Sequence, residues 1–113
     1  MNKEILKKAI DTYGTHNQQD MVIEEALELA LAILKHRRAV KEECSEEYIK
    51  LRRDNIVEER SDTEVMLKQV DIMFDCEEEV NKQIEFKLNR LKERLENGKI
   101  ASNNPIVKRF ESR

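Results

Sequence analysis

The chain has 113 residues, of which 40% are charged, and it contains only two glycines, one proline and five aromatic residues. An all-β fold needs turn residues about every 8 to 12 positions, so this composition excludes one and predicts an all-α protein. The net charge of −3 provides no basic field to attract nucleic acid, and the longest apolar run is far shorter than the roughly 18 residues that cross a bilayer.

The N-terminal half of the chain predicts two helices. The first extends over residues 3–13, where apolar residues recur at helical spacing and Gly14 follows as a C-terminal cap. The second extends from Thr15 to about residue 38, because Thr15 and Gln18 match a capping box. From Met21 to Leu34 its only polar residues are three glutamates, so we expect this helix to lie at the centre of a bundle.

Two further helices are predicted in the C-terminal half. Residues 36–54 are dense in charge and are expected to form a solvated connection with some helix, for which Ser45 is a candidate N-cap. The third helix is predicted over about residues 55–74. The fourth is predicted over residues 77–96, where an apolar stripe ends at the stop signal Asn97-Gly98.

The predicted organisation is a single helical domain over residues 1–96 and a polar tail over residues 97–113. A chain of this size buries only about two-thirds of the surface that its unfolded state exposes, so a second subunit would usefully complete the core. Cys44 and Cys76 form no Cys-x-x-Cys motif, which argues against a disulfide framework and a thiolate zinc site. We expect a soluble, cytoplasmic protein without a signal segment or a membrane partner.

Two pairs of acidic residues continue apolar helix stripes. Glu25 and Glu28 are three residues apart, about 60° around the second helix, on a face that is otherwise apolar. Glu59 and Asp62 have the same spacing on the third helix, on the face that carries Met66. Carboxylates brought together on core-facing stripes repel one another until protons or a cation neutralise them. Because every ligand would be oxygen, the pattern favours Mg²⁺ or Mn²⁺ over Zn²⁺.

Acid pairs of this kind also occur in di-iron sites and on ordinary helix surfaces. A carboxylate di-iron site needs Glu-x-x-His on two helices, and neither His16 nor His36 follows a glutamate by three residues. Acids three residues apart are common on solvated helix faces, where they pair with Lys or Arg. Glu24 and Glu58, which precede each pair, fit this description as ordinary charged positions.

Both acid pairs lie in segments that resemble a known family. Residues 23–29 (IEEALEL) and 58–62 (EERSD) are similar to the Glu-Glu-x-x-Glu and Glu-x-x-Asp signature of MazG-like all-α nucleoside triphosphate pyrophosphohydrolases. The similarity extends over about residues 18–96, and its latter half resembles small phage and prophage members. The 30 residues between the two motifs are at the long end for the family, and Arg60-Ser61 replaces the usual small or apolar pair.

The resemblance implies a function as well as a fold. It implies that the protein hydrolyses a nucleoside triphosphate to the monophosphate and pyrophosphate, with Mg²⁺ as cofactor and Mn²⁺ as an alternative. The acids that it implies as metal ligands and catalytic residues are also those that the stripe spacing selects, namely Glu25, Glu28, Glu59 and Asp62. The substrate-binding bases would correspond most nearly to Lys87 and Arg90 in the last helix. A homodimer or homotetramer is implied in addition.

Two other function classes remain as alternatives. The first is a non-catalytic helical interaction protein, such as a phage or prophage accessory factor, whose acids form salt bridges across a subunit interface. Convergence of the four acids without basic partners would distinguish the enzyme from this alternative. The second is a nucleic-acid-binding module, which is disfavoured because it is supported only by basic residues of the tail, namely Lys99, Lys108, Arg109 and Arg113.

Overall fold

A computed structural model describes residues 1–98 of the chain and contains four helices and no strand over that range. The helices are α1 (Lys3–Tyr13), α2 (Thr15–Lys41), α3 (Glu46–Met73) and α4 (Glu77–Glu96). The all-α fold class is therefore confirmed for this part of the chain. The predicted tail from residue 99 onward, with its four basic residues, lies outside the described range. None of the helices within residues 1–98 is both long and apolar enough to cross a membrane.

The chain divides into two compact units, Met1–Asp75 and a second unit that begins at Cys76. In the first unit, α2 packs along α3, and α1 contacts both of them. Its apolar core is small and includes two alanines, which let the helix backbones approach closely; the buried apolar residues are Leu6, Ile10, Ala32, Ala39 and Met66. The expectation of a single domain over residues 1–96 stays a prediction.

The junction between α1 and α2 is a single glycine. Gly14 has a φ of 94°, a backbone conformation that residues with a Cβ rarely adopt. Its N–H donates to the carbonyl of Ile10 at 2.8 Å. The predicted capping box is wrong: Thr15 is already helical, and no side chain caps α2. Gln18 instead lies buried, and its Nε2 donates to Oε1 of Gln69 on α3 at 2.8 Å.

The connection predicted over residues 36–54 is mostly helical. α2 continues to Lys41, and α3 begins at Glu46, so the loop between them is short. Ser45 is the N-cap, as predicted, and its Oγ accepts from the backbone N–H of Tyr48 at 3.2 Å. However, it caps α3 itself and not a separate short helix. A pair four residues apart, Lys50 with Asp54 at 2.8 Å, supports these first turns.

The expected central position of α2 is correct for only one of its faces. Ala32 and Ala39 are buried, as is the side chain of Gln18. Three apolar side chains at four-residue spacing are exposed to solvent in the single chain: Ile23 at 59%, Leu27 at 64% and Leu31 at 40%. We call these three residues the α2 apolar stripe.

The second unit contains α4, which has the predicted bounds Glu77–Glu96. None of its residues is buried. Its apolar stripe includes Leu88, Leu91 and Leu95, which are 59%, 50% and 72% exposed. The helix ends at Asn97, whose Nδ2 donates to the carbonyl of Glu93 at 2.9 Å.

Candidate metal centre

Three of the four predicted metal ligands converge where α2 packs along α3. Glu25 projects from α2, while Glu59 and Asp62 project from α3 one turn apart. One carboxylate oxygen of each residue lies within 4.8 Å of one oxygen from each of the other two. Glu25 and Glu59 are partly buried, and Asp62 is exposed. We call these three residues the acidic cluster.

A threonine holds the two helix backbones together at the level of the acidic cluster. Thr63 is buried, and its hydroxyl lies 2.7 Å from the carbonyl oxygen of Glu59 and 3.1 Å from that of Glu25. The single hydroxyl hydrogen is shared between these two acceptors. Because the carbonyls belong to two of the acidic residues, the contact fixes the spacing of the backbones that carry them.

Glu28, the fourth predicted ligand, lies beside the acidic cluster but does not belong to it. Its side chain is exposed, and it lines a pocket together with Glu59. Its negative charge contributes to the raised pKa of Glu59. The structure thus brings Glu25, Glu59 and Asp62 together and places Glu28 next to them.

The local field raises the pKa of Glu59 above its ordinary value. Partial burial is the largest cause, because it disfavours the ionised form. The remaining causes are like charges from the surrounding acids, which in decreasing order are Glu25, Glu28, Asp62 and Glu58. A cation placed among these groups would offset both effects.

No lysine or arginine within residues 1–98 forms an ion pair with any of the four predicted ligands. The nearest basic residue in the sequence, Arg60, instead pairs with Glu64 at 3.0 Å. Ser61, which follows it, donates its hydroxyl to the carbonyl of Val57 at 2.7 Å. The two residues that depart from the family pattern are therefore engaged within α3 and leave the acids uncompensated.

The donor set suits a hard divalent cation. Mg²⁺ binds oxygen ligands at about 2.1 Å in octahedral geometry, so two ligands on opposite sides of the ion lie about 4.2 Å apart. The oxygens of the acidic cluster span up to 4.8 Å, and small side-chain rotations close that difference. Protein sites for Mg²⁺ commonly use few carboxylates and leave other positions for water or phosphate oxygens. Glu25, Glu59 and Asp62 would hold such an ion, and Glu28 lines the pocket beside them.

A pocket beside the acidic cluster contains basic residues that the sequence analysis missed. Its volume is about 450 Å³, and it is lined by Glu28, Lys35, Leu51, Arg52, Asp54, Asn55, Glu58 and Glu59. We call it the α2/α3 pocket. Lys35 follows Glu28 by seven residues and Arg52 precedes Glu59 by seven, which places each base on the same helix face as its acid. That spacing is a sequence signal that could have identified both bases.

The two predicted substrate-binding residues both lie on α4. Lys87 is exposed and lines a pocket of about 540 Å³ with Val80, Gln83 and Ile84. The guanidinium of Arg90 lies over the ring of Phe86, with 5.8 Å between its central carbon and the ring centroid. Their assignment as substrate-binding residues stays a prediction.

Comparisons of the chain with known protein families, with curated proteins and with solved structures find no match. Support for a function comes from the acids, the neighbouring pocket and the motif resemblance.

Proposed function

We propose that the protein is a Mg²⁺-dependent nucleoside triphosphate pyrophosphohydrolase of the MazG-like type, acting in the cytoplasm. The observation that supports this most is the convergence of Glu25, Glu59 and Asp62 within 4.8 Å without a basic partner in residues 1–98. Glu59 is partly buried among like charges that raise its pKa, and a cation bound at the acidic cluster would offset that repulsion. The motif resemblance supplies the class of reaction.

The proposed reaction is a displacement at the α-phosphorus. The oxygen of a water molecule forms a bond to this atom, and the bond to the oxygen that bridges the α- and β-phosphates breaks. That bridging oxygen leaves with pyrophosphate, and the proton of the water passes to a carboxylate that is not fully engaged as a ligand. A metal held by Glu25, Glu59 and Asp62 would screen the charge of the phosphates, and an acid of the site would position the water.

Basic residues would compensate the remaining charge of the triphosphate. The motif resemblance suggests Lys87 and Arg90 for this role. Both are exposed on α4 and carry no carboxylate partner within residues 1–98, so their charges are available to a ligand.

We also propose that a second copy of the chain covers the α2 apolar stripe, which gives a homodimer or a homotetramer. Ile23, Leu27 and Leu31 would otherwise leave apolar area in contact with water along two turns of α2. The core of a single chain is small, and burial of this stripe would add to it.

One observation favours the alternative of a non-catalytic helical interaction protein. The stripe on α4 is also exposed, with Leu95 at 72% and Leu88 at 59%. Two apolar helix faces in so short a chain suit a protein whose role is to assemble with others. In that case the acids would pair with bases of a partner and no nucleotide would be hydrolysed.

An activity screen separates the two functions. Ribo- and deoxyribonucleoside triphosphates are incubated with the protein and Mg²⁺, and released pyrophosphate is measured. We expect hydrolysis that chelator abolishes, and Asp62→Asn should lower turnover at least about a hundredfold, since it removes a principal electrostatic element. Glu24→Gln removes one charge from α2 outside the acidic cluster and should stay within a few-fold of the parent. If no triphosphate is hydrolysed, or if Asp62→Asn retains parental turnover, the proposed function is wrong.

A further inference from the structure

The α2/α3 pocket combines acids of the candidate site with two bases from facing helices. Lys35 comes from α2 and Arg52 from α3, and they lie on the same side of the acidic cluster. The contact between Thr63 and the Glu25 carbonyl sets the register of the two antiparallel helices. Lys35 follows Glu25 by ten residues on α2, and Arg52 precedes Thr63 by eleven residues on α3. The two bases therefore lie at one level of the helix pair.

Neither base is neutralised by an acid of this chain within residues 1–98. Lys35 is partly buried, and it forms no ion pair there although four carboxylates line the same pocket. Arg52 donates from Nε and Nη2 to the hydroxyl of Tyr48 at 3.0 and 2.8 Å, and it also lies 5.0 Å from the centroid of the Tyr48 ring. These contacts hold the guanidinium in place while leaving its charge uncompensated.

The acids of the pocket determine which anion it would accept. Asp54 is already paired with Lys50 at 2.8 Å and Arg53 at 3.3 Å, so it does not compete for the two free bases. Glu28, Glu58 and Glu59 would repel a bare anion, whereas a cation at the acidic cluster reverses the field at that end of the pocket. A polyanion that bridges the cation and the two bases meets favourable charge along its whole length.

We propose that the α2/α3 pocket binds the pyrophosphate part of the substrate, and pyrophosphate as product, in its Mg²⁺-bound form through Lys35 and Arg52. This assignment rests on the proposed function, and it places the leaving group on the side of the acidic cluster where Lys35 and Arg52 lie. With the β- and γ-phosphates held toward the two bases, the α-phosphorus would lie at the end of the pocket nearer the acidic cluster. Lys35 and Arg52 stabilise the charge that moves onto the leaving pyrophosphate.

The test is calorimetric titration of pyrophosphate into the full chain, with Mg²⁺ and with chelator. We expect binding in Mg²⁺ and none with chelator. Lys35→Gln and Arg52→Gln should each weaken the affinity at least about tenfold, as expected for the loss of a charged hydrogen bond. Arg38→Gln and Lys41→Gln remove the same charge from positions on α2 that do not line the pocket, and their affinity should stay within about twofold. Circular dichroism establishes that all four variants are folded.

The outcomes separate this inference from the proposed function. Parental affinity in both pocket variants, equal losses in the two control variants, or equal binding of pyrophosphate with chelator would each overturn the pocket assignment. If nucleotides are hydrolysed while Lys35→Gln and Arg52→Gln bind pyrophosphate normally, the function stands and the pocket assignment fails. If the pocket variants lose pyrophosphate but no nucleotide is hydrolysed, the pocket assignment stands and the proposed reaction fails.

Discussion

The carboxyl group of Glu59 lies among more negative charge than its own helix supplies. Two of the residues that raise its pKa, Glu25 and Glu28, belong to α2, so part of the shift depends on the folded helix pair. In the unfolded chain the group returns to its ordinary pKa of 4.5. Without metal, the folded state therefore holds the Glu59 proton more tightly than the unfolded state does, and protonation of this residue stabilises the fold.

The sign of this linkage gives a prediction for the metal-free protein. The stabilising contribution of Glu59 should be fully present below pH 4.5 and should be lost as the pH rises through the raised pKa. Melting temperatures are measured in chelator from about pH 4 to about pH 8 for the parent and for Glu59→Gln. The parent should lose stability relative to the variant across that window. Parallel curves would contradict the prediction. Glu24→Gln, which removes one carboxylate outside the acidic cluster, controls for the loss of a negative charge.

The residues of the site differ in how far the sequence predicts them. Glu25, Glu59 and Asp62 could be selected because a three-residue spacing places each motif on the face that packs against the other helix. Lys35 and Arg52 were missed because each lies two turns from its acid, and Arg52 also falls within residues 36–54, the stretch interpreted as a solvated connection. Charge density suggested exposure there, whereas the bases face a pocket that forms only when the two helices pair.

At the scale of helices, a buried amide pair links α2 to α3. Gln18 and Gln69 are 7% and 3% exposed, and their side chains are joined by a hydrogen bond of 2.8 Å. When one amide of the pair is removed, the other stays buried without a hydrogen-bond partner, and its desolvation is no longer compensated. Replacement of both residues by apolar ones removes that cost.

This asymmetry is testable by a double-mutant cycle. Gln18→Leu and Gln69→Leu should each lower the free energy of unfolding by about 1 to 3 kcal/mol, because each leaves the other amide unpaired. The double variant should be less destabilised than the sum of the two, and closer to the parent than either alone. Urea unfolding measures all four proteins. Additive losses would show that the two amides do not depend on each other. Gln83→Leu makes the same substitution at an exposed position of α4 and controls for the effect of the substitution outside the buried pair.

Helix bounds could be predicted where a local stop signal coincides with the end of an apolar stripe. This holds for α1 before Gly14 and for α4 before Asn97-Gly98. The predicted start of α3 was wrong, because pairs of charged and aromatic side chains stabilise its first turns and these turns have no apolar stripe. The Gln18 and Gln69 contact could not be predicted either, since it depends on the register of two helices that are 51 positions apart in sequence at this point.

At the scale of the whole molecule, the α2 apolar stripe gives a prediction about assembly. Light scattering after size-exclusion chromatography should give a mass of at least two chains for the parent. Leu27→Asp places a charge at the centre of the stripe and should shift the protein toward the monomer, because burial of an unpaired carboxylate is costly. Ala26→Asp adds the same charge at an exposed position about 100° around α2 from Leu27 and should leave the mass unchanged. A monomeric parent would contradict the assembly.

The acidic cluster couples metal binding to the stability of the whole fold. Without metal, folding brings Glu25, Glu59 and Asp62 within 4.8 Å of one another, and unfolding relieves their repulsion. A cation that binds only the folded arrangement stabilises it by mass action. Monovalent salt screens exposed charges but cannot act as a shared centre for three oxygens, so it should stabilise much less at matched ionic strength.

We therefore expect Mg²⁺ or Mn²⁺ to raise the melting temperature in the absence of nucleotide. At about 100 times the dissociation constant the gain is roughly 2.7 kcal/mol, which corresponds to a rise on the order of 10 °C for a chain of this size. The rise should shrink in the Glu25→Gln, Asp62→Asn double variant, whose metal-free form should be at least as stable as the parent because it carries less repulsion. Differential scanning calorimetry measures the melting temperature with chelator, with divalent metal and with sodium chloride at matched ionic strength. Equal melting temperatures in all three conditions would mean that the acids do not form a metal site by themselves, and the proposed function would then require the triphosphate to bring its metal to the acidic cluster.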